Sequence, residues 1–142
     1  MPASKVLQKH SGIYWLHDQV STSDFEKTAK AEGFSFFQIE GQKLEKKEQL
    51  LNRMALAMHF PDYFGNNWDA LVDCLTDLSW IDSSKFLIKI DYLDSFIEYN
   101  PKHFGVLLDI LKEACEYWHA QSKCMIVLFH GKHVIAGLET ID

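Results

Sequence analysis

Asp69, Asp73 and Asp77 recur every four residues inside Met54–Ser84, a stretch with five acidic side chains and no lysine or arginine. It contributes −5 of the chain's formal net charge of −6. An α-helix turns about 100° per residue, so Asp73 and Asp77 fall roughly 40° and 80° from Asp69, with Leu71, Cys74, Leu75 and Leu78 opposite. The spacing predicts a column of carboxylates outside a helix whose other face is core. Like charges four apart repel by about 0.2–0.5 kcal/mol per pair, and the helix dipole favours only Asp69, in the first turn. One reading is a solvated helix face. The flanks argue for more: Trp68 and Val72 sit beside the acids, and the preceding loop adds Tyr63 and Phe64, with Gly65 for a tight turn. Acids rimmed by aromatics have the composition of a protein-binding patch for a basic partner, with aromatic anchors and charge steering.

Other chemistries fit less well. Asp69 and Asp73 do not converge from separate elements as glycosidase carboxylates do. His130 and His133 could ligate a metal, yet no third ligand follows at usable spacing and a turn after the last strand explains them. Cys74 falls on the core face beside acids that would raise its pKa, so it reads as packing rather than a nucleophile. There is no G-x-S-x-G, no G-x-G-x-x-G and no phosphate-binding loop. The expectation is a protein that is not an enzyme and has no cofactor or metal.

The elements that must position the patch alternate in type. Gly12 to Leu16 reads as a strand, and Ser23 with Glu26 as a capping box opening a helix that ends at Gly33. Phe34 to Glu40 is an aromatic-rich strand, and Glu45 to His59 an amphipathic helix ended by Pro61. Asn66 or Asn67 caps the acidic helix, which runs to about Leu78. Phe86 to Tyr92 is a third strand, Pro101 opens a long helix with Phe104, Leu107, Leu108, Leu111, Cys115 and Trp118 on one stripe, and Cys124 to His130 is a buried strand. Strands joined by such helices pair in parallel through right-handed crossovers. The fold class is α/β, a small, mainly parallel sheet flanked by helices.

The chain has 142 residues, of which 47% are hydrophobic and 24% charged, enough for one compact domain without disulfides. Cys74, Cys115 and Cys124 are odd in number and form no C-x-x-C pair, as reduced thiols of a cytoplasmic protein would. The first residues lack a secretory apolar region, and the longest apolar run, Met125–Phe129, is far too short for a membrane span. The acidity argues against nucleic acid and anionic membrane as partners.

The run from Phe60 to Thr76, Phe-Pro-Asp-Tyr-Phe-Gly-Asn-Asn-Trp-Asp-Ala-Leu-Val-Asp-Cys-Leu-Thr, resembles the signature of the barstar family of intracellular ribonuclease inhibitors. The similarity extends from about Phe34 to Phe129 and includes Lys112-Glu113-Ala114 in the late helix. It implies an inhibitor that inserts a helix and its preceding loop into a ribonuclease active site, one aspartate taking the place of a substrate phosphate. By motif position that aspartate is Asp73, with Asp69 as a second acid, Tyr63 as the rim aromatic and Glu113 as a supporting carboxylate. Tyr63, Phe64, Gly65, Asn67, Trp68, Asp69, Val72, Asp73, Thr76, Asp77 and Glu113 form the expected partner-binding set.

Three departures stand out. Residues 1–33 precede the family's first strand and read as an added strand and helix packed on the sheet edge, giving one domain over 1–142 with a core at 34–130. Val72 stands where the family has tryptophan, and Trp68 supplies one a turn earlier. Asp77 replaces a glycine. The expected partner is a cognate ribonuclease or nuclease toxin; a regulatory module for a basic partner that is not a nuclease is the alternative.

Overall fold

Runs such as Phe86–Ile90 and Met125–Phe129 are apolar on both faces, and a strand of that kind is stable only inside a sheet covered on both sides. The computed structural model, which describes residues 2–141, shows that arrangement. In chain order the elements are α1 (Pro2–Leu7), β1 (Gly12–His17), α2 (Phe25–Ala31), β2 (Ser35–Glu40), α3 (Lys47–Ala57) and α4 (Trp68–Leu75). They continue with β3 (Lys85–Asp91), α5 (Asp94–Tyr99), α6 (Pro101–Ala120), β4 (Cys124–Gly131) and β5 (Glu139–Ile141). The strands form one sheet in the order β2-β3-β4-β1-β5, with every pair parallel.

Alternate side chains divide the core in two. Phe37, Ile39, Phe86, Ile88, Ile90, Met125, Val127 and Phe129 face α3, α4 and α6, which contribute Leu50, Leu51, Met54, Leu71, Leu75, Leu107 and Leu111. Leu16, Leu87, Ile126 and Leu128 face the other way, against Ala3 and Val6 of α1 and Phe25 and Ala29 of α2. The acidic helix is thus carried on the first face, and the N-terminal residues cover the second.

The second face also holds charge. Register sets Glu40, Asp91 and His130 side by side at the carboxyl ends of β2, β3 and β4. Asp91 is 3% exposed; it accepts two bonds from Lys89 Nζ at 2.7 and 2.8 Å and one from Gln38 Nε2 at 2.7 Å, and His130 Nδ1 lies 3.0 Å away. The other ring nitrogen of His130 is 3.1 Å from the carbonyl of Val20. Burial raises the Asp91 carboxyl, but the bonds from His130, Lys89 and Gln38 and the Lys89 charge outweigh it and hold it below the ordinary carboxylate range.

Several expectations are corrected. β1 joins the sheet beside β4 but is not its edge, because β5 pairs along its other side. β4 is therefore not the last strand; His130 ends its buried run as expected, and of the two histidines only His133 lies in the bend beyond it. The capping box at Ser23 does not form: α2 begins at Phe25, and the Ser23 hydroxyl lies 3.1 Å from that of Ser21. The acidic helix stops at Leu75 rather than Leu78. Thr76 is its C-cap, and Leu78 turns left-handed at φ 49° while its N–H donates to the Cys74 carbonyl.

Candidate functional site

The loop before α4 is pinned by aromatic contacts. The Phe60 ring packs on Phe64 and Trp80, with centroids 5.0 and 6.0 Å apart, and Trp80 Nε1 donates to the Met58 carbonyl at 3.0 Å. The Phe64 N–H closes a tight turn onto the Pro61 carbonyl. Tyr63, between them, has nowhere to pack and is 70% exposed. Asn67 then starts the helix: its Oδ1 accepts from the Ala70 N–H at 2.8 Å, and its Nδ2 reaches back to the Gly65 carbonyl. A Cβ on Gly65 would lie 3.1 Å from that Asn67 nitrogen, so glycine lets the cap sit close against the loop.

Within α4, Leu71, Cys74 and Leu75 are buried, Asp69 and Asp73 are exposed, and Trp68 and Val72 are half-buried against the core. Asp77 is exposed in the turn after the helix, and its Oδ2 meets the Tyr63 hydroxyl at a long 3.4 Å. That contact joins the loop to the far end of the helix. Thr76 is turned inward, its hydroxyl donating to the Val72 carbonyl at 2.8 Å. None of Asp69, Asp73 and Asp77 has an ion-pair partner among the described residues.

The uncompensated charge is felt locally. Burial pushes the Cys74 thiol up, and Asp77 and Asp73 push it further, so it is a packed thiol rather than a nucleophile. Partial desolvation raises the Tyr63 phenol above its ordinary value, with Asp77 adding to it. Tyr63 is held as a neutral donor beside the acids.

α6 backs the helix at both ends. The Trp68 ring lies 6.0 Å from that of His103, and Trp118 Nε1 donates to the Leu75 carbonyl at 2.7 Å. Glu113 is exposed on α6 and makes no hydrogen bond or ion pair with the aspartates among the described residues. The geometry therefore brings Tyr63, Asp69, Asp73 and Asp77 onto one loop-helix unit, with Glu113 on the neighbouring helix.

The family model described as Barstar (barnase inhibitor) matches residues 34–130. This chain belongs to the barstar family. A Bacillus subtilis (strain 168) protein named "Putative ribonuclease inhibitor YrdF" is 31% identical over 90 residues, which are 62% of this chain and 93% of that relative. The barstar match runs from just before β2 to near the end of β4 and includes the whole loop-helix unit and Glu113. α1, β1, α2 and β5 lie outside it.

Sequence reasoning missed the residues that support the site. Trp80 reaches back from the loop after α4, while His103 and Trp118 act from α6, where the spacing marks Trp118 only as core. No group of histidine, cysteine or acidic residues among those described could hold a metal. No described helix is long and apolar enough to cross a membrane.

Proposed function

We propose that this protein is an immunity-type inhibitor that blocks the active site of a basic ribonuclease or nuclease toxin and performs no chemistry of its own. The observation that carries the reading is the unpaired, exposed Asp69 and Asp73 on a helix fixed at both ends and fronted by Tyr63. A carboxylate on a rigid helix can accept bonds from arginine and lysine groups arranged for phosphate. Asp73 takes that position, Asp69 a second cationic contact, and Tyr63 and Phe64 the rim of the cleft. Gly65, Asn67 and Thr76 shape the loop and helix ends, and Glu113 adds a carboxylate from α6. Trp68, Val72 and Asp77 set partner choice, since these are the positions where the chain departs from the family pattern. Residues 1–142 act as one unit, in the cytoplasm, with the extension covering the sheet.

The test is titration of a cognate nuclease in a fluorescent RNA cleavage assay. Stoichiometric inhibition is expected, with association that slows as salt rises. Asp73→Ala should weaken binding by about 2–5 kcal/mol, the cost of truncating one partner of a buried, hydrogen-bonded charge pair. If Asp69→Ala and Asp73→Ala together leave affinity unchanged, the binding face lies elsewhere.

A further inference from the structure

The amino ends of β3, β4 and β1 lie side by side in the sheet, where Lys85, Cys124 and Ser11 come together. There they enclose an open cavity of about 590 Å³ lined by Lys9, Lys85, Lys123, His10, His119, Ser11, Ser84, Ser122 and Cys124. In a chain of net charge −6, no acidic residue lines this cavity. Lys9 is neutralised by Glu139 at 2.6 Å. Lys85 and Lys123 have no carboxylate partner among the described residues; their ammonium groups lie over the rings of Phe34 and Trp118, at 4.9 and 5.2 Å from the centroids. A ring face offers a cation some attraction but leaves its N–H donors free for a further ligand.

The hydroxyls divide the same way. Ser11 is engaged by the Met125 N–H, and in the adjoining cavity Ser83 bonds to the backbone of Lys85. Ser84 and Ser122 have no side-chain partner among the described residues, and both line the cavity together with the two lysines. Two lysines and two hydroxyls, carried on the strand β3, its approach and the turn before β4, line this one cavity and offer the kind of donors that a tetrahedral oxyanion accepts from. The volume lies within the range of small-ligand sites. An extended polyanion would meet Asp82 in the adjoining cavity and Glu139 beside Lys9, so the surroundings favour a compact ligand.

We propose that this basin binds a small phosphorylated molecule through Lys85, Lys123, Ser84 and Ser122, independently of nuclease inhibition. The recognised chemistry is a phosphate or pyrophosphate group, which could come from an inorganic ion or a nucleotide. The test is NMR titration of the full chain with inorganic pyrophosphate and, separately, with ADP. Saturable amide shifts confined to Ser84, Lys85, Ser122 and Lys123 are expected with both probes. Tighter binding of ADP would assign a nucleotide, and equal binding an inorganic phosphate source. Lys123→Gln and Lys85→Met, which keeps the packing on Phe34, should each weaken binding about tenfold, the size of one charge-assisted contact. Lys132→Gln, a charge change elsewhere, should leave it unaltered. The absence of saturable shifts with either probe, or an equal loss in Lys132→Gln, would overturn the proposal.

Discussion

Trp118 of α6 donates its indole N–H to the Leu75 carbonyl across 2.7 Å, both residues being buried. The last turn of a helix leaves carbonyls without partners, and here a side chain 43 positions away supplies one. The last turn of α4 is therefore satisfied in part by tertiary structure. Trp118→Phe keeps most of the ring but strands that carbonyl, which costs about 1–3 kcal/mol. Urea denaturation should register the loss, and affinity for the nuclease should fall as the end of α4 loosens.

At the other end the cap is local. Asn67→Ala removes the acceptor for the Ala70 N–H and should destabilise the protein by about 1 kcal/mol. Asn67→Asp, which preserves the acceptor, should restore the stability. Thermal unfolding of the two variants makes the comparison.

The Asp91 cluster predicts a pH dependence with a definite sign. A carboxyl held below its usual value in the fold stabilises the native state above the unfolded value of about 3.9, and the contribution fades as pH falls through the folded value. Asp91→Asn leaves the buried Lys89 unpaired, so at pH 7 it should be less stable than the parent by about 3–5 kcal/mol. That gap should narrow on acidification below about pH 4. Urea midpoints measured from pH 7 to pH 3 would show it.

Deleting residues 1–33 should be severe. It uncovers Leu87, Ile126 and Leu128, each fully buried against the extension. At about 1.5–3 kcal/mol for each side chain, the loss approaches the whole stability of a small protein. The shortened chain should show no cooperative unfolding by circular dichroism, although it retains every residue of the barstar match.

Gly41 has the least room of the seven glycines. Its N–H donates to the Asp91 carbonyl, and a Cβ there would come within 2.7 Å of that oxygen and 2.8 Å of the Leu93 Cα. Gly41→Ala must shift backbone rather than a side-chain tip, and should cost about 1–3 kcal/mol in a denaturation experiment.

Four strands and the helices α2, α3, α4 and α6 were legible, the longer ones because each repeats its pattern over a long enough run. α1 and α5 have six residues each and β5 has three, too few to show a period. The end of α4 was misjudged for a different reason: Leu78 sits at the helical spacing and is buried, yet it reaches the core from a left-handed turn. Lys89, Asp91 and His130 lie within apolar runs; Lys89 and Asp91 meet along β3 itself, but His130 joins them only once β3 and β4 are in register. The exposure of Asp69 and Asp73 on α4 could be read early because it is local, a matter of spacing and of missing lysines, whereas Asp77 lies in the turn beyond the helix. The tryptophan and histidine supports could not, since they depend on which helices become neighbours.

The first strand of this protein finds its main partner near the other end of the chain, Gly12 opposite Ile126 and His17 opposite Gly131. A growing polypeptide leaves the ribosome from its amino end, so Tyr14, Trp15 and Leu16 must wait for more than a hundred further residues before they can pair. Contacts so distant in sequence slow folding. Until residues 124–131 have been made, β1 has no strand to pair with along that side, and the sheet stays open between β4 and β1.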